Sequence, residues 1–599
     1  MTSELAPLAV AIPLLAAALC EFCDGWSPRW VINLLAIAAG LATTVACGLL
    51  TAATAHGTVV HWFGGWEPRH GIALGIDFAV DPVGAAFAAF TAFLTTAAFV
   101  FAWSYYDEGG SPFHALMLLF LGALAGFFLT GDLFNLFVFF ELMGVAAYAL
   151  TAYRTEDQSA VMGAIAFAVV NSAGAFLILA GITLVYGRTG ALNMLQIAHG
   201  LGNTADGLVA VAFAFIAAGL LVKAAIVPFH FWLADAHAVA PTPLCVLFSG
   251  IMVQAGLYAV ARVYWSIFSG PFAAHAGAMR PLLLAFGLFT CAVGATMCFR
   301  QRHVKRLLAL STITHSGILL CAFALFSARG LAGIWVYILG HGLIKGGLFM
   351  CSGVLLNRLG SLDIEELRGK LRDRRWVSAL FALGGLGLAG MPPFATFLGK
   401  SLIDDAASDA HLRWLVYALL VAAAVTGAAV LKAVVRMTFG VGPEPDRTAQ
   451  VTKREERETA TSTDDRGMPI VMLGTASVLL ALACAIGFVH RLDGAATASS
   501  LRFIDRASQL AVVLGGAPSS PLPGVALSPL ASAIRLGVVS AALAVALAAA
   551  SVYSGRARRA GERLFGWLHA VHSGLVTDYI AWLAAGTAAF GVTLAALLR

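Results

Sequence analysis

Runs of roughly twenty apolar residues recur from one end of this chain to the other, each long enough to cross a bilayer as a helix. Hydrocarbon offers no water to backbone N–H and C=O groups, so a segment of this kind has to satisfy them internally. The composition agrees. Hydrophobic residues make up 60% of the chain and charged residues 12%, against about 25% charged in soluble domains. The pattern predicts an all-α polytopic membrane protein with about sixteen transmembrane helices. The first run, Leu5 to Cys20, has no basic n-region and no clear cleavage site, so it reads as a retained span rather than a signal peptide.

Basic residues fall in the connections. Arg300, Arg302, Lys305 and Arg306 follow the ninth run, and Arg358 to Arg375 follow the eleventh. Arg447 to Arg466 follow the thirteenth, and Arg556 to Arg563 the fifteenth. All four loops have one parity and so share a face, predicted to be cytoplasmic in an inner (plasma) membrane, with both termini outside. The net charge of +5 is modest and implies no nucleic-acid partner. Residues 441–467 are polar, charged and predicted to be a flexible loop. Two amphipathic pieces, near Leu501 to Val513 and from Arg558 to His572, are expected outside the spans; the second is suited to lying flat on the membrane.

Nothing in the chain reads as an enzyme's active site. Most of the nine cysteines lie singly inside apolar runs, where they behave as small hydrophobes. Cys20 and Cys23 form a C-x-x-C with no second pair, which does not make a metal or redox site. No iron–sulfur ligand set, Gly-rich nucleotide loop or Walker motif is present. No cofactor and no metal are therefore expected, and any electron carriers belong to another chain.

The informative residues are charges inside the apolar runs. LLVKAAIVPFHFWLADAHAVAPTP, residues 220–243, carries Lys223 and then Pro228, which is expected to break the helix, followed by His230, Asp235 and His237. An ammonium in hydrocarbon costs about 3 kcal/mol on insertion scales, so it needs a polar cavity or a partner. Glu141 sits alone in LFNLFVFFELMGVAAYAL. Burial disfavours an ammonium and a nearby carboxylate restores it, so a lysine with a movable acidic partner takes up and releases protons. The competing reading is a fixed structural ion pair. In LALSTITHSGILL, Ser311 and His315 share a helix face, as do His341 and Lys345 in YILGHGLIKGGLFM. Histidine exchanges protons near neutral pH with little perturbation. Lys432 lies near the end of its span, where snorkelling explains it.

A second proline-broken run, LAGMPPFATFLGKSLI, carries Pro392, Pro393 and Lys400. PFATFL at Pro393 parallels PFHFWL at Pro228, five spans apart. That odd offset predicts two inverted five-helix repeats whose broken helices meet near the midplane. The chain then divides into N-terminal helices (1–112), a first repeat (113–267) and a second repeat (280–438). The polar loop (441–467) and C-terminal spans (468–599) complete it.

The stretches FFELMG, LLVKAAIVPFHFWLADAHAVAPTP, STITHSG, GHGLIKGGLF and GMPPFATFLGK resemble the proton-translocating antiporter-like membrane subunits. Those include the D-type subunits of Mrp cation/proton antiporters and the antiporter-like subunits of complex I and membrane-bound hydrogenases. The resemblance covers roughly residues 80–440. It implies a polar axis along the membrane in which Glu141 pairs with Lys223, His315 and His341 relay protons between bundles, and Lys400 ends the second bundle. The family commonly carries a lysine or histidine in the eighth span; here Gln254 stands in its place. The expected proton relay therefore comprises Glu141, Lys223, His230, Gln254, His315, His341, Lys345 and Lys400. The implied partners are other membrane subunits of a hetero-oligomeric complex, protons and either sodium or potassium. The rival reading is a structural subunit or passive channel of such a complex without driven transport.

Overall fold

A computed structural model describes residues 3–106, 110–203, 205–442, 458, 469–489, 491–518, 524, 531–553 and 575–597. The Arg558 to His572 piece and all of 441–467 except residues 441, 442 and 458 lie outside the described residues.

The helices are α1 (Leu5–Phe22), α2 (Arg29–Thr54), α3 (Pro82–Tyr105), α4 (Ser111–Leu129), α5 (Leu133–Thr151) and α6 (Gln158–Thr189). Next come α7 (Met194–Leu201), α8 (Gly207–Lys223), α9 (Phe231–Val239), α10 (Thr242–Leu247), α11 (Val253–Val263) and α12 (Ala276–Arg300). They are followed by α13 (Val304–Phe323), α14 (Ala328–Leu359), α15 (Arg375–Leu388), α16 (Ala395–Asp409) and α17 (Arg413–Phe439). The chain closes with α18 (Ile470–Ile486), α19 (Arg491–Ile504), α20 (Arg506–Val513), α21 (Ala531–Tyr553) and α22 (Val576–Leu597). Thirteen helices among the described residues are long and apolar enough to span a bilayer, or fourteen if the bent pair α18 and α19 is one crossing. The expected sixteen are reached only when the short apolar helices α8 and α15 are each joined to the helix beyond their break.

Helix ends follow local chemistry. Asp81, Asp132, Asp157 and Asp206 cap the starts of α3, α5, α6 and α8 by accepting backbone N–H groups. Gly190, Gly360 and Gly440 end α6, α14 and α17 in the left-handed region, at φ 64°, 66° and 66°.

Outer and inner helices differ in burial. The span made by α10, a π-turn at Phe248–Met252, α11 and a second π-turn at Tyr264–Phe268 is buried along its whole length, and α13 and α14 are nearly so. By contrast α1, α21 and α22 are buried over only about a third of their length, as lipid-facing helices are. The buried axis therefore runs through α8, α11, α13 and α14, the helices that carry most of the ionisable residues.

One face of the molecule carries a β-hairpin between α2 and α3, with β1 (Val59–Trp62) antiparallel to β2 (Asp77–Val80). Asp77 is buried there, accepting from Asn193 Nδ2 at 3.0 Å. Its other carboxylate oxygen has no hydrogen-bond partner among the described residues. Burial first, and then the charge of Asp132, push Asp77 up to about 7, against the Asn193 bond. The connections that follow α12 and α14 bond to each other at the opposite helix ends; we call theirs the basic face.

Candidate functional site: a buried polar axis

The first break begins earlier than the proline. Helix α8 ends at Lys223, and Ala225 takes φ 52° before Pro228 follows a cis peptide bond. Val222 O accepts from Ala225 N at 3.1 Å and from Trp232 Nε1 at 3.0 Å, and Val227 N donates to Thr290 Oγ1 at 3.1 Å. The second break repeats the plan. Gly390 takes φ 76°, Pro393 follows a cis bond, and Gly387 O accepts from Thr396 Oγ1 at 2.7 Å. Broken backbone at membrane depth is thus satisfied by protein, as hydrocarbon requires. The lysines, however, occupy different halves. Lys223 ends the helix before its break, whereas Lys400 sits in the helix after its own.

The last two helices each seat on one break. Ser540 Oγ of α21 donates to Ala389 O at 2.6 Å, and Gly537 lies so close to the second break that a Cβ would sit 2.8 Å from Pro392 Cδ. On α22, Tyr579 OH donates to Asp235 Oδ2 at 2.9 Å and its ring stacks on Phe231 at 5.0 Å. A Cβ at Gly586 would meet Pro228 Cγ at 2.4 Å.

Around the first break the expected pair of Glu141 and Lys223 is not bonded. Lys223 is fully buried, its Nζ 4.4 Å from the centroid of Phe140 and 5.9 Å from that of Phe167. It makes no salt bridge or hydrogen bond among the described residues. Glu141, half-buried on α5 beside Phe140, is within electrostatic reach, and its Oε1 is also without a hydrogen-bond partner. Such a cation–π seat holds an ammonium at depth without fixing it to one carboxylate. Helix α11 packs directly on this end of α8, since a Cβ at Gly256 would lie 2.7 Å from both Ala224 N and Leu220 O. Gln254, half a turn away, is fully buried with both amide atoms unpartnered among the described residues. His230 lies in the break at the start of α9, with its ring against Phe231.

A hydrogen-bonded file begins at His237, before the π-turn, and leads into α13 and α14. His237 Nε2 and Ser249 Oγ are 3.0 Å apart, and Ser249 Oγ and Thr312 Oγ1 are also 3.0 Å apart. The π-turn at Phe248–Met252 places Ser249 there and brings Gly250 against α14, where a Cβ at Gly342 would lie 2.5 Å from Gly250 O. Thr312 Oγ1 and Lys345 Nζ both donate to Leu308 O, at 3.2 and 2.6 Å. Lys345 also bonds Ser311, and the His341 and His315 rings lie 5.0 Å apart. The faces read from Ser311/His315 and His341/Lys345 therefore meet each other. His315 Nδ1 pairs with Tyr337 OH at 2.7 Å and Nε2 with Thr426 Oγ1 at 3.3 Å, while neither His341 nitrogen has a described partner. Helix α16 crosses Tyr337 at Gly399, where a Cβ would be 2.4 Å from Tyr337 N. Next to it, Lys400 forms a buried salt bridge with Asp404 at 2.7 Å.

Three polar groups were not singled out from sequence. His237 reads as an ordinary part of the broken-helix stretch, yet it starts the connected file. Lys305, read as a loop charge, is fully buried in the first turn of α13. Asp404, one turn after Lys400, is the acid that neutralises it; the i, i+4 spacing carried that signal. Lys432 reaches the end of α12 and donates to Phe299 O at 2.8 Å.

A family model described as NADH:quinone oxidoreductase/Mrp antiporter, transmembrane, matches residues 130–426. NADH-quinone oxidoreductase subunit N of Desulforudis audaxviator is 30% identical over 496 residues, covering 80% of this chain and 96% of the relative. The D-type subunit of a probable K(+)/H(+) antiporter from Rhizobium meliloti is 31% identical over 366 residues, covering 57% of this chain and 67% of the relative. Among solved structures, a chain of the Mrp complex from Dietzia sp. superposes with TM-score 0.74 and 26% identity, over 86% of this chain and 99% of its own. A chain of an archaeal membrane-bound sulfane sulfur reductase gives TM-score 0.73 and 27% identity, over 85% and 99%. The chain therefore belongs to the NADH:quinone oxidoreductase/Mrp antiporter family of transmembrane subunits.

Proposed function

We propose that this chain is a proton-translocating subunit of a multisubunit membrane complex, either a cation/proton antiporter or a redox-coupled pump. The observation that carries the reading is the buried polar axis. Lys223 and Gln254 on one side, and His237, Lys345, His341, His315 and Lys400 on the other, are all buried inside apolar helices. Buried polar groups are ordinarily hydrogen-bonded, and each one left unpaired costs about 1–3 kcal/mol. A set of them retained in line has a use other than stability. Protons pass along hydroxyl and imidazole groups where these are bonded, and along transient water where they are not. Lys223 and Glu141 act as the first store, and the Lys400–Asp404 pair as the last. The two inverted repeats supply one half-path each, divided at 113–267 and 280–438. The basic face is cytoplasmic, both termini are outside, and the other subunits supply the coupling ion or the redox chemistry.

Proton uptake by proteoliposomes holding the assembled complex, under an imposed cation gradient, tests this. Lys223→Ala abolishes coupled uptake without loss of assembly, and Glu141→Ala impairs it. Normal uptake by both variants sinks the relay. Rapid labelling of a cysteine placed at 372 by an impermeant reagent outside intact cells would reverse the orientation.

A further inference from the structure

The relay residues do not account for Lys305. Its ammonium is fully buried and donates to Ala240 O at 2.6 Å and to Glu458 Oε2 at 2.5 Å. Glu458 comes from the charged connection between α17 and α18, yet only 7% of it is exposed. Every oxygen of its carboxylate is used. Oε1 accepts from Thr242 N at 3.1 Å and Tyr105 OH at 2.6 Å, and Oε2 accepts from Thr242 Oγ1 at 2.8 Å as well as from Lys305. Its own N–H donates to Ala238 O at 3.1 Å. One carboxylate thus ties the end of α3, the α9–α10 junction and the start of α13 together. That junction carries His237, the first group of the bonded file to Ser249 and Thr312.

We propose that Glu458 is a positioning residue for proton uptake from the basic face: it neutralises Lys305 and holds the α9–α10 junction that presents His237 to Ser249. The inference rests on the reading that protons use the buried axis. A bare ammonium beside the start of the file repels an incoming proton, so the file accepts one only while Lys305 has its counter-charge. A mere helix cap would do the same work with a neutral amide. A counter-ion would not, and this difference decides the test.

Proton uptake by the assembled complex in proteoliposomes is measured for Glu458→Gln, Lys305→Met and the double variant. Each single substitution is expected to lower uptake about ten-fold or more, because each leaves one charge buried without its partner. The double variant, with no charge at either position, is expected to recover to within about threefold of wild type. A wild-type rate in Glu458→Gln, or a double variant no faster than the slower single, overturns the proposal. A second readout does not depend on transport. Cys245 Sγ lies 3.6 Å from both His237 O and Ala240 O, so its thiol reports on the junction. Glu458→Ala should raise its labelling rate about ten-fold while Cys321 stays protected; equal protection of Cys245, or exposure of both thiols, counts against a local hold. Lys223→Ala run alongside separates the two readings. If it too transports normally, the relay itself has failed; if it is dead while Glu458→Gln is normal, only the role of Glu458 falls.

Discussion

Replacing Gln254 by leucine separates stability from transport. The side chain is fully buried, and neither amide atom has a partner among the described residues. An orphaned buried polar group costs about 1–3 kcal/mol, whereas an apolar group of similar size in the same place does not. Leucine should therefore relieve about 2 kcal/mol and raise the thermal midpoint of the purified complex by about 1–4 °C. Transport should move the other way. A buried amide on the helix that packs against the end of α8 can hold a water by donating and accepting at once, and leucine cannot. Losing one such link costs at least about 1.4 kcal/mol of barrier, a ten-fold drop in rate. Intrinsic tryptophan fluorescence gives the midpoint and gradient-driven proton uptake gives the rate. Wild-type uptake in Gln254→Leu would refute the bridge. A midpoint lowered by several degrees would refute the premise that the amide is unpaired.

Lys400→Ala should destabilise by about 3–5 kcal/mol, since it leaves Asp404 buried without a counter-ion; thermal unfolding of Lys400→Met with Asp404→Asn should recover stability while proton uptake stays lost. Lys432→Ala removes a donor from Phe299 O and an ammonium from over the Phe299 ring, so it should cost about 0.5–1.5 kcal/mol and leave uptake within about twofold. Asp77 binds its proton more tightly folded, at about 7, than at its ordinary value of 3.8. Its contribution is therefore full below pH ~4 and is lost as pH rises to about 7, by on the order of 4 kcal/mol at the limit. Asp77→Asn should match wild type in thermal midpoint at pH 4 and exceed it at pH 8; equal midpoints at pH 8 would show that burial does not hold the proton there.

The apolar runs made the membrane helices legible, because length and hydropathy are local properties. Pro228 and Pro393 marked the broken helices for the same reason. Where the first break begins was not legible: nothing in KAAIVPF announces that Ala225 takes a positive φ and ends α8 at Lys223. Lys305 shows the limit more sharply. Its neighbours in RQRHVKR read as a basic loop, and the groups that bury it, Ala240 and Glu458, lie 65 and 153 residues away. Ser311, His315, His341 and Lys345 were readable as two polar faces because helical spacing is fixed. That those faces meet depends on packing at Gly250 and Gly342, which no single helix encodes. Gln254 drew notice only through resemblance, since an isolated glutamine in an apolar run carries no signal by itself.

Each of the two breaks has a roof, and the roofs come from the end of the chain. Without α21, Ala389 O would lose its Ser540 donor and Pro392 would face acyl chains; without α22, Pro228 would do so and Asp235 would lose Tyr579. An open carbonyl against lipid costs several kcal/mol. The C-terminal helices, which lie beyond the family match ending at 426, therefore act as a waterproof lining for the two weakest points of the core. Any shorter chain built on the same breaks has to borrow that lining from a neighbouring subunit.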